Sequence, residues 1–188
     1  MPTETLAHKL GTTTHLSPLL MKARRLGLRT PEDLCALAVK RGCRYYDMHG
    51  DSSRVREEMV SCGSQSQTPE SSLSNEELAM ALLSICHPYS QLCIRVGAAM
   101  LAASGNSTQR LASLTVQERC EVVTRHVAQL GHQVEPQNSF WQELLDAIPT
   151  MPPPPVDVLP HVTRFAAMNG LSRHGKEITM QWIRPSAA

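Results

Sequence analysis

Recognisable catalytic motifs are the scarcest feature of this sequence. Its 188 residues contain no Gly-x-Ser-x-Gly nucleophile turn, no phosphate-cradling glycine loop and no dinucleotide-binding fingerprint, so the common signatures of acyl transfer and nucleotide chemistry are missing. Six cysteines, at 35, 43, 62, 86, 93 and 120, include no C-x-x-C pair, which removes the commonest zinc and redox spacings. Aromatic residues number only seven, too few for a platform that stacks single-stranded bases. Lys and Arg (18) nearly cancel Asp and Glu (17), so no global field draws the chain to nucleic acid or to an anionic membrane.

Long apolar runs are missing too. The start, Met1 to Lys9, lacks the apolar region of a secretory signal. The 17 residues from Leu78 to Ile94 carry no Asp, Glu, Lys or Arg but include Ser84, His87, Pro88, Ser90 and Gln91, a poor membrane span. The expectation is a soluble, cytoplasmic protein with its cysteines as thiols.

What the sequence does contain is helix punctuation. Thr30-Pro31-Glu32-Asp33, Ser74-Asn75-Glu76-Glu77 and Thr115-Val116-Gln117-Glu118 each place a hydroxyl three residues before a carboxylate. The hydroxyl accepts from a first-turn amide and the acid reaches back to the cap amide. One helix is predicted from Ser17-Pro18 through Leu19, Leu20, Ala23 and Leu26 to Gly27. A second runs from Thr30-Pro31 through Leu34, Leu37 and Ala38 to Gly42. Further helices are predicted over about 53–61 and 74–87, with Leu73 and Leu78 as a hydrophobic staple, and over 92–105. In the last of these Gly97, Ala98 and Ala99 permit close approach of a neighbour. From Thr115, the residues Val116, Cys120, Val123, Val127 and Leu130 form one apolar stripe, closed by Gly131, with Glu121 and Arg125 paired on an outer face. A last helix, about 137–148, would bury Phe140, Leu144, Leu145 and Ile148.

Between these lie a polar Ser-rich stretch, 61–73, read as a mobile surface loop, and Pro149 to Pro155, read as an extended linker. Residues 156–188 are too few for a core of their own. Ile178, Met180 and Trp182 alternate with polar residues, the pattern of a half-buried strand. The predicted fold is mainly α: an irregular multi-helix bundle in one domain, 1–148, with a C-terminal arm, 156–188, that packs on the body or on a second subunit. At most a short two-stranded β element is expected, formed by 43–46 and 178–183. Caps at 30, 74 and 115 are 44 and 41 residues apart, which leaves a helical-repeat arrangement as the alternative.

Functional candidates are few. Asp47-Met48-His49-Gly50-Asp51 places carboxylate and imidazole where an extended backbone would let them share one divalent ion. The string resembles the first metal-binding motif of calcineurin-like metallophosphoesterases, Asp-x-His-Gly. That resemblance implies a divalent-metal hydrolase with Asp47, His49 and Asp51 as ligands. It covers five residues, and the family's Gly-Asp-x-x-Asp-Arg and Gly-Asn-His stretches do not occur. The plain alternative is an exposed turn.

Arg24, Arg25, Arg29, Lys40, Arg41 and Arg44 surround the first two helices, whose short glycine turn has helix-turn-helix spacing and could present cations to phosphates. Glu32 and Asp33 occupy the turn of the second helix where base contacts would fall. Cys86 and His87 point about 100° apart on a helix and cannot form a thiol–base pair. No catalytic residue or cofactor is therefore predicted. The leading expectation is a non-catalytic interaction or scaffolding protein, with a protein partner or a second copy of itself. A nucleic-acid binder built on 17–42 and a metal hydrolase built on 47–51 are the alternatives.

Overall fold

The structure, a computed structural model, describes residues 4–43, 72–169 and 178–185. It is mainly helical with one short antiparallel ribbon, as the sequence predicts. The helices among the described residues are α1 (Leu6–Lys9), α2 (Pro18–Arg25), α3 (Pro31–Lys40), α4 (Asn75–Leu82), α5 (Gln91–Leu101), α6 (Thr108–Gln117), α7 (Glu121–Val134) and α8 (Ser139–Ala147). A 3₁₀ turn, Val162–Arg164, leads into strands β1 (Ala166–Asn169) and β2 (Thr179–Trp182). The predicted helix over 53–61 and nearly all of the predicted Ser-rich loop lie outside the described residues.

The starts and stops of α2, α3 and α4 follow local chemistry. Ser17 and Thr30 accept from Leu20 and Asp33 amides, and Pro18 and Pro31 occupy the first helical positions. Capping boxes close on Thr30–Asp33 and Ser74–Glu77. Gly27 and Gly42 end α2 and α3 at positive φ, each with the following amide bonded back to the carbonyl five residues earlier, the arrangement that a residue without Cβ adopts at least cost.

At the centre lie α4 and α5. Leu78 to Leu82 are all buried, so α4 is apolar on every side, as a helix enclosed by others must be. A Cβ on Gly97 would sit 2.9 Å from the Leu83 side chain, so the small-residue stretch of α5 does receive a close neighbour. Helices α2, α3 and α6 pack on α4, and α3 also packs on α5. Charge reinforces this hub: Glu77 at the start of α4 takes Lys22 of α2 at 2.7 Å and Arg110 of α6 at 3.7 Å.

The third predicted cap is overturned. Thr115 lies inside α6, buried, with its hydroxyl directed at Met80 sulfur and Thr124. Glu118 ends α6, Arg119 follows at φ 51°, and the Cys120 and Arg119 amides bond back to Thr115 and Val116 carbonyls. That is a glycine-type helix stop built on arginine, so sequence reading ran straight through it. Helix α7 starts at Glu121, and its N-cap, Cys120, makes no side-chain bond to the first-turn amides. Without a cap at 115 the repeat spacing disappears. Val116 is 47% exposed, leaving the stripe to Cys120, Val123 and Val127.

Glu118, fully buried, instead serves α2. One carboxylate oxygen accepts from Ser17 Oγ and the other from the Leu19 amide at 3.0 Å. Pro18 has no N–H and Leu20 donates to Ser17 Oγ, so the α2 N-terminus is left with no orphan donor.

Gly131 does not close α7, which continues to Val134. It admits Trp141 of α8: a Cβ there would lie 2.4 Å from the indole. Trp141, and not Phe140, is the buried aromatic of α8. Arg125 donates to the Leu145 and Ile148 carbonyls at 3.0 Å, binding the end of α8.

Chain beyond the prolines crosses the body. Phe165 stacks on Trp182 at 5.5 Å between centroids, and Trp182 meets Trp141 edge-on at 4.9 Å. The predicted strand at 178–183 exists as β2, but its partner is β1, with Ala166 opposite Trp182 and Asn169 opposite Thr179. Of the expected partner 43–46, only Cys43 falls within the described residues. A hairpin partner close in sequence costs less chain entropy to bring together than one more than 130 residues away.

Replacing Glu118 by Ala leaves the Ser17 hydroxyl and the Leu19 amide buried without an acceptor. The expected loss is about 1–3 kcal/mol per orphaned donor, read as a lower urea midpoint at unchanged m-value. An unchanged midpoint would remove Glu118 from any structural role.

Candidate functional site

Of the six basic residues singled out above, the five that are described are not brought to one place. Arg24 and Arg25 occupy the last turn of α2, Arg29 the connecting turn and Lys40 the last turn of α3. All four are exposed, and none is in a salt bridge among the described residues. Helix α3 is about 15 Å long at 1.5 Å per residue, so Lys40 stands a helix length from Arg29. Arg41 turns inward, donating to Asn75 Oδ1 at 2.8 Å and to the Leu73 carbonyl, and burial lowers its pKa. It holds α3 to the start of α4. Arg44 lies outside the described residues, as do Asp47, His49 and Asp51. Among the described residues no three His, Cys, Asp or Glu side chains are placed to hold a metal ion.

The pairing that sequence reading missed is Cys86 with His15. Their side chains meet at 3.5 Å, thiol to Nδ1, although 71 residues separate them. A thiol beside an imidazole is the minimum for nucleophilic catalysis. Here the thiol also lies 3.2 Å from the His15 carbonyl oxygen, which opposes a negative sulfur. His15 Nε2 is buried with no hydrogen-bond partner among the described residues, so none of them orients the ring as a third group. His87, the sequence neighbour, is bonded to the Ala81 carbonyl at 2.8 Å, and burial pushes its imidazole down, towards the neutral form. A second thiol pair, Cys35 on α3 and Cys93 on α5, is in sulfur–sulfur contact at 3.9 Å.

Two clefts flank the C-terminal segment. One, of about 510 Å³, lies between the Pro153–Pro160 stretch and α7, with His126, His161 and Arg164 on its wall. Tyr89 donates to the Val158 carbonyl at 2.7 Å and His126 Nε2 bonds the Pro160 carbonyl at 3.0 Å, so the proline segment is fastened to the body on both sides of Leu159. The other, about 680 Å³, lies between residues 102–106 and 134–138 and is bounded by Arg184. On its wall, Glu135 accepts from Arg184, from Trp141 Nε1 at 2.9 Å and from Asn138 Nδ2 at 3.2 Å. Burial pushes the Glu135 carboxyl up, but these bonds outweigh it and hold it below the usual carboxylate range. Among the described residues the polar contacts of this cluster are made within the protein, so it fastens the tail.

The ribbon presents a different surface. Alternation puts Ala166 and Met168 of β1 on one face with Met180 and Trp182 of β2. Ala166 and Trp182 are buried, whereas Met168 is 55% and Met180 37% exposed. Ile178, the next residue in the same alternation, is 54% exposed. One apolar face therefore begins in the core and continues into solvent. Among the described residues no other strand pairs with either edge of the ribbon.

No protein-family model, curated protein or solved structure matches this chain. Among the described residues no helix is long and apolar enough to cross a membrane.

Glu135 ties the tail to α7 and to Trp141 and has a lowered folded pKa. Its contribution is complete above the unfolded-state pKa, about 4.3, and is lost as pH falls through the lower folded value. Tryptophan emission should therefore change below about pH 4.3, and Glu135→Gln should shrink that step. An undiminished step would mean that the carboxylate does not hold the tail.

Proposed function

We propose that this chain is a non-catalytic, cytoplasmic protein-interaction module whose contact surface is the β1–β2 ribbon. The observation that carries the reading is the apolar face formed by Met168, Ile178 and Met180, which continues the face of buried Ala166 and Trp182. Large apolar side chains grouped on a ribbon that no third strand joins among the described residues suit strand addition. The occupant is an extended segment of a partner protein, apolar at alternate positions and acidic at its flanks. Residues 149–188 hold four Lys and Arg against two acids, so an acidic segment is attracted and the same region of a second copy is repelled. Flexible methionines suit such a surface because they repack around different side chains. An unoriented Cys86–His15 pair and a self-satisfied Glu135 cluster support the non-catalytic part of the reading.

The test is titration of the full chain with synthetic alternating-apolar peptides, flanked by either Glu or Lys, followed by amide NMR. Glu-flanked peptides should bind, with shifts concentrated in Ala166–Asn169 and Thr179–Trp182, and Met180→Glu should weaken binding at least tenfold, about 1.4 kcal/mol. Absence of binding, shifts elsewhere, or a dimer by light scattering that Met180→Glu dissociates would refute the proposal, the last in favour of self-association.

A second reading is favoured by a separate observation, the exposure of Arg24, Arg25, Arg29 and Lys40 without salt-bridge partners among the described residues. It makes the 17–42 unit a nucleic-acid-binding surface. Because α2 packs on α4 and α3 packs on both α4 and α5, this surface would grip phosphates and not present a recognition helix. Affinity for duplex DNA or structured RNA should then fall steeply with salt, and the slope should shrink by about 2 in Arg24→Ala/Arg25→Ala. No binding at low salt would dismiss it.

A further inference from the structure

Cys35 and Cys93 are distant in sequence, on different helices, and arrive in contact because α3 packs on α5. Their surroundings are unequal. Cys93 sits in the first turn of α5, an 11-residue helix, where its amide donates to the Ser90 hydroxyl at 3.3 Å. The positive end of a helix favours a thiolate over a thiol. Cys35 lies further along α3 and is 1% exposed, against 5% for Cys93. Both are buried, and Cys93 is the more accessible of the two to a small oxidant.

We propose that Cys93 and Cys35 are a redox-modification site, in which hydrogen peroxide joins them in a disulfide that staples α3 to α5. The Cys93 thiolate attacks one peroxide oxygen. A sulfur–oxygen bond forms, the oxygen–oxygen bond breaks, and the departing hydroxide takes up a proton to become water. Cys93 is then a sulfenic acid. The Cys35 sulfur attacks the Cys93 sulfur, the sulfur–sulfur bond forms, the sulfur–oxygen bond breaks, and hydroxide leaves with the Cys35 proton as a second water. Two thiols lose two electrons and two protons in total, and one peroxide becomes two waters.

Electrostatics agree with the roles. The hydrogen bond from the Cys35 thiol, working against burial and aided by Ser90, brings the Cys93 thiol down to about 7. The same pairing, with burial, pushes Cys35 up. Glu32 disfavours charge on both sulfurs, whereas Cys43 opposes it on Cys35 alone and Ser90 favours it on Cys93 alone, so Cys93 attacks and Cys35 resolves. To reach bonding distance, about 2.0 Å, the two sulfurs must close from 3.9 Å. Closing that gap calls for side-chain rotation and a small sliding of the two packed helices.

The other cysteines provide internal controls. Cys120 is fully buried, its thiol pushed up to about 12 by that burial, so it should stay reduced. Cys86 has an imidazole neighbour and, among the described residues, no thiol bonded to it, so it lacks the resolving partner that Cys93 has in Cys35.

The experiment is peroxide treatment of the reduced full chain, alkylation of remaining thiols after unfolding, and digestion with trypsin and chymotrypsin. Cleavage after Tyr89 separates Cys93 from Cys86, so peptides Thr30–Lys40 and Ser90–Arg95 report the pair. The expected result is a loss of about 2 Da and a cross-linked peptide pair, reversed by dithiothreitol. In Cys35→Ala, a sulfenic acid should persist on Cys93 and be trapped by dimedone. The proposal is overturned if both thiols remain alkylatable, if peroxide carries Cys93 to a sulfinic acid, about 32 Da heavier, or if Cys93 pairs with another cysteine. Mapping of the natural chain decides the matter even if the variant does not fold.

Discussion

Everything in this molecule is arranged around the nearness of α4 to α5. With Gly97 facing Leu83, the two helices approach more closely than any side chain larger than hydrogen would allow. The gain is dispersion contact along an interface with no room for water. It also turns the run Leu78–Leu82 into the middle of the protein, available on all sides to α2, α3 and α6. The same closeness brings Cys35 to Cys93, because α3 rides on both members of the pair.

A second aromatic centre is built on the same device. Gly131 gives up its side-chain space to Trp141, Trp141 meets Trp182, and Trp182 stacks on Phe165. Through that chain of rings the C-terminal segment becomes part of the core, and the Glu135–Arg184 pair closes it from outside. Anchoring at Ala166 and Trp182 is what leaves Met168, Ile178 and Met180 beyond the edge of the body. The surface read as an interaction site is thus a direct consequence of how far the ribbon overhangs its anchor.

Local signals were legible and long-range ones were not. Ser17-Pro18, the Thr30 and Ser74 boxes and Gly27 and Gly42 all act through atoms within a few residues, and each is found where the sequence places it. Thr115-Val116-Gln117-Glu118 has the same letters but a different role, because Arg119 takes a glycine's conformation and Glu118 is recruited to a helix about 100 residues away. Gly131 read as a stop when it is a place of contact. The apolar stripe of α7 and the strand character of 179–182 were visible as periodicities, whereas the partner of that strand was not. Of the site residues, the cations could be counted but not placed, and Arg41 proved to be structural. The Cys86–His15 and Cys35–Cys93 contacts leave no trace in spacing at all.

By itself the sequence determined the helical class, the bounds of α2 and α3, the starts of α4 and α5, the place of α8 and the absence of recognisable catalytic motifs, since caps, stops and periodicities are governed by interactions within a turn or two. Tertiary structure alone decided which glycines are hinges and which are seats for a neighbour, which acid is a cap and for which helix, and which thiols touch. Those outcomes depend on the distance between segments remote in the chain, and that distance is set by packing, which no short stretch of residues encodes.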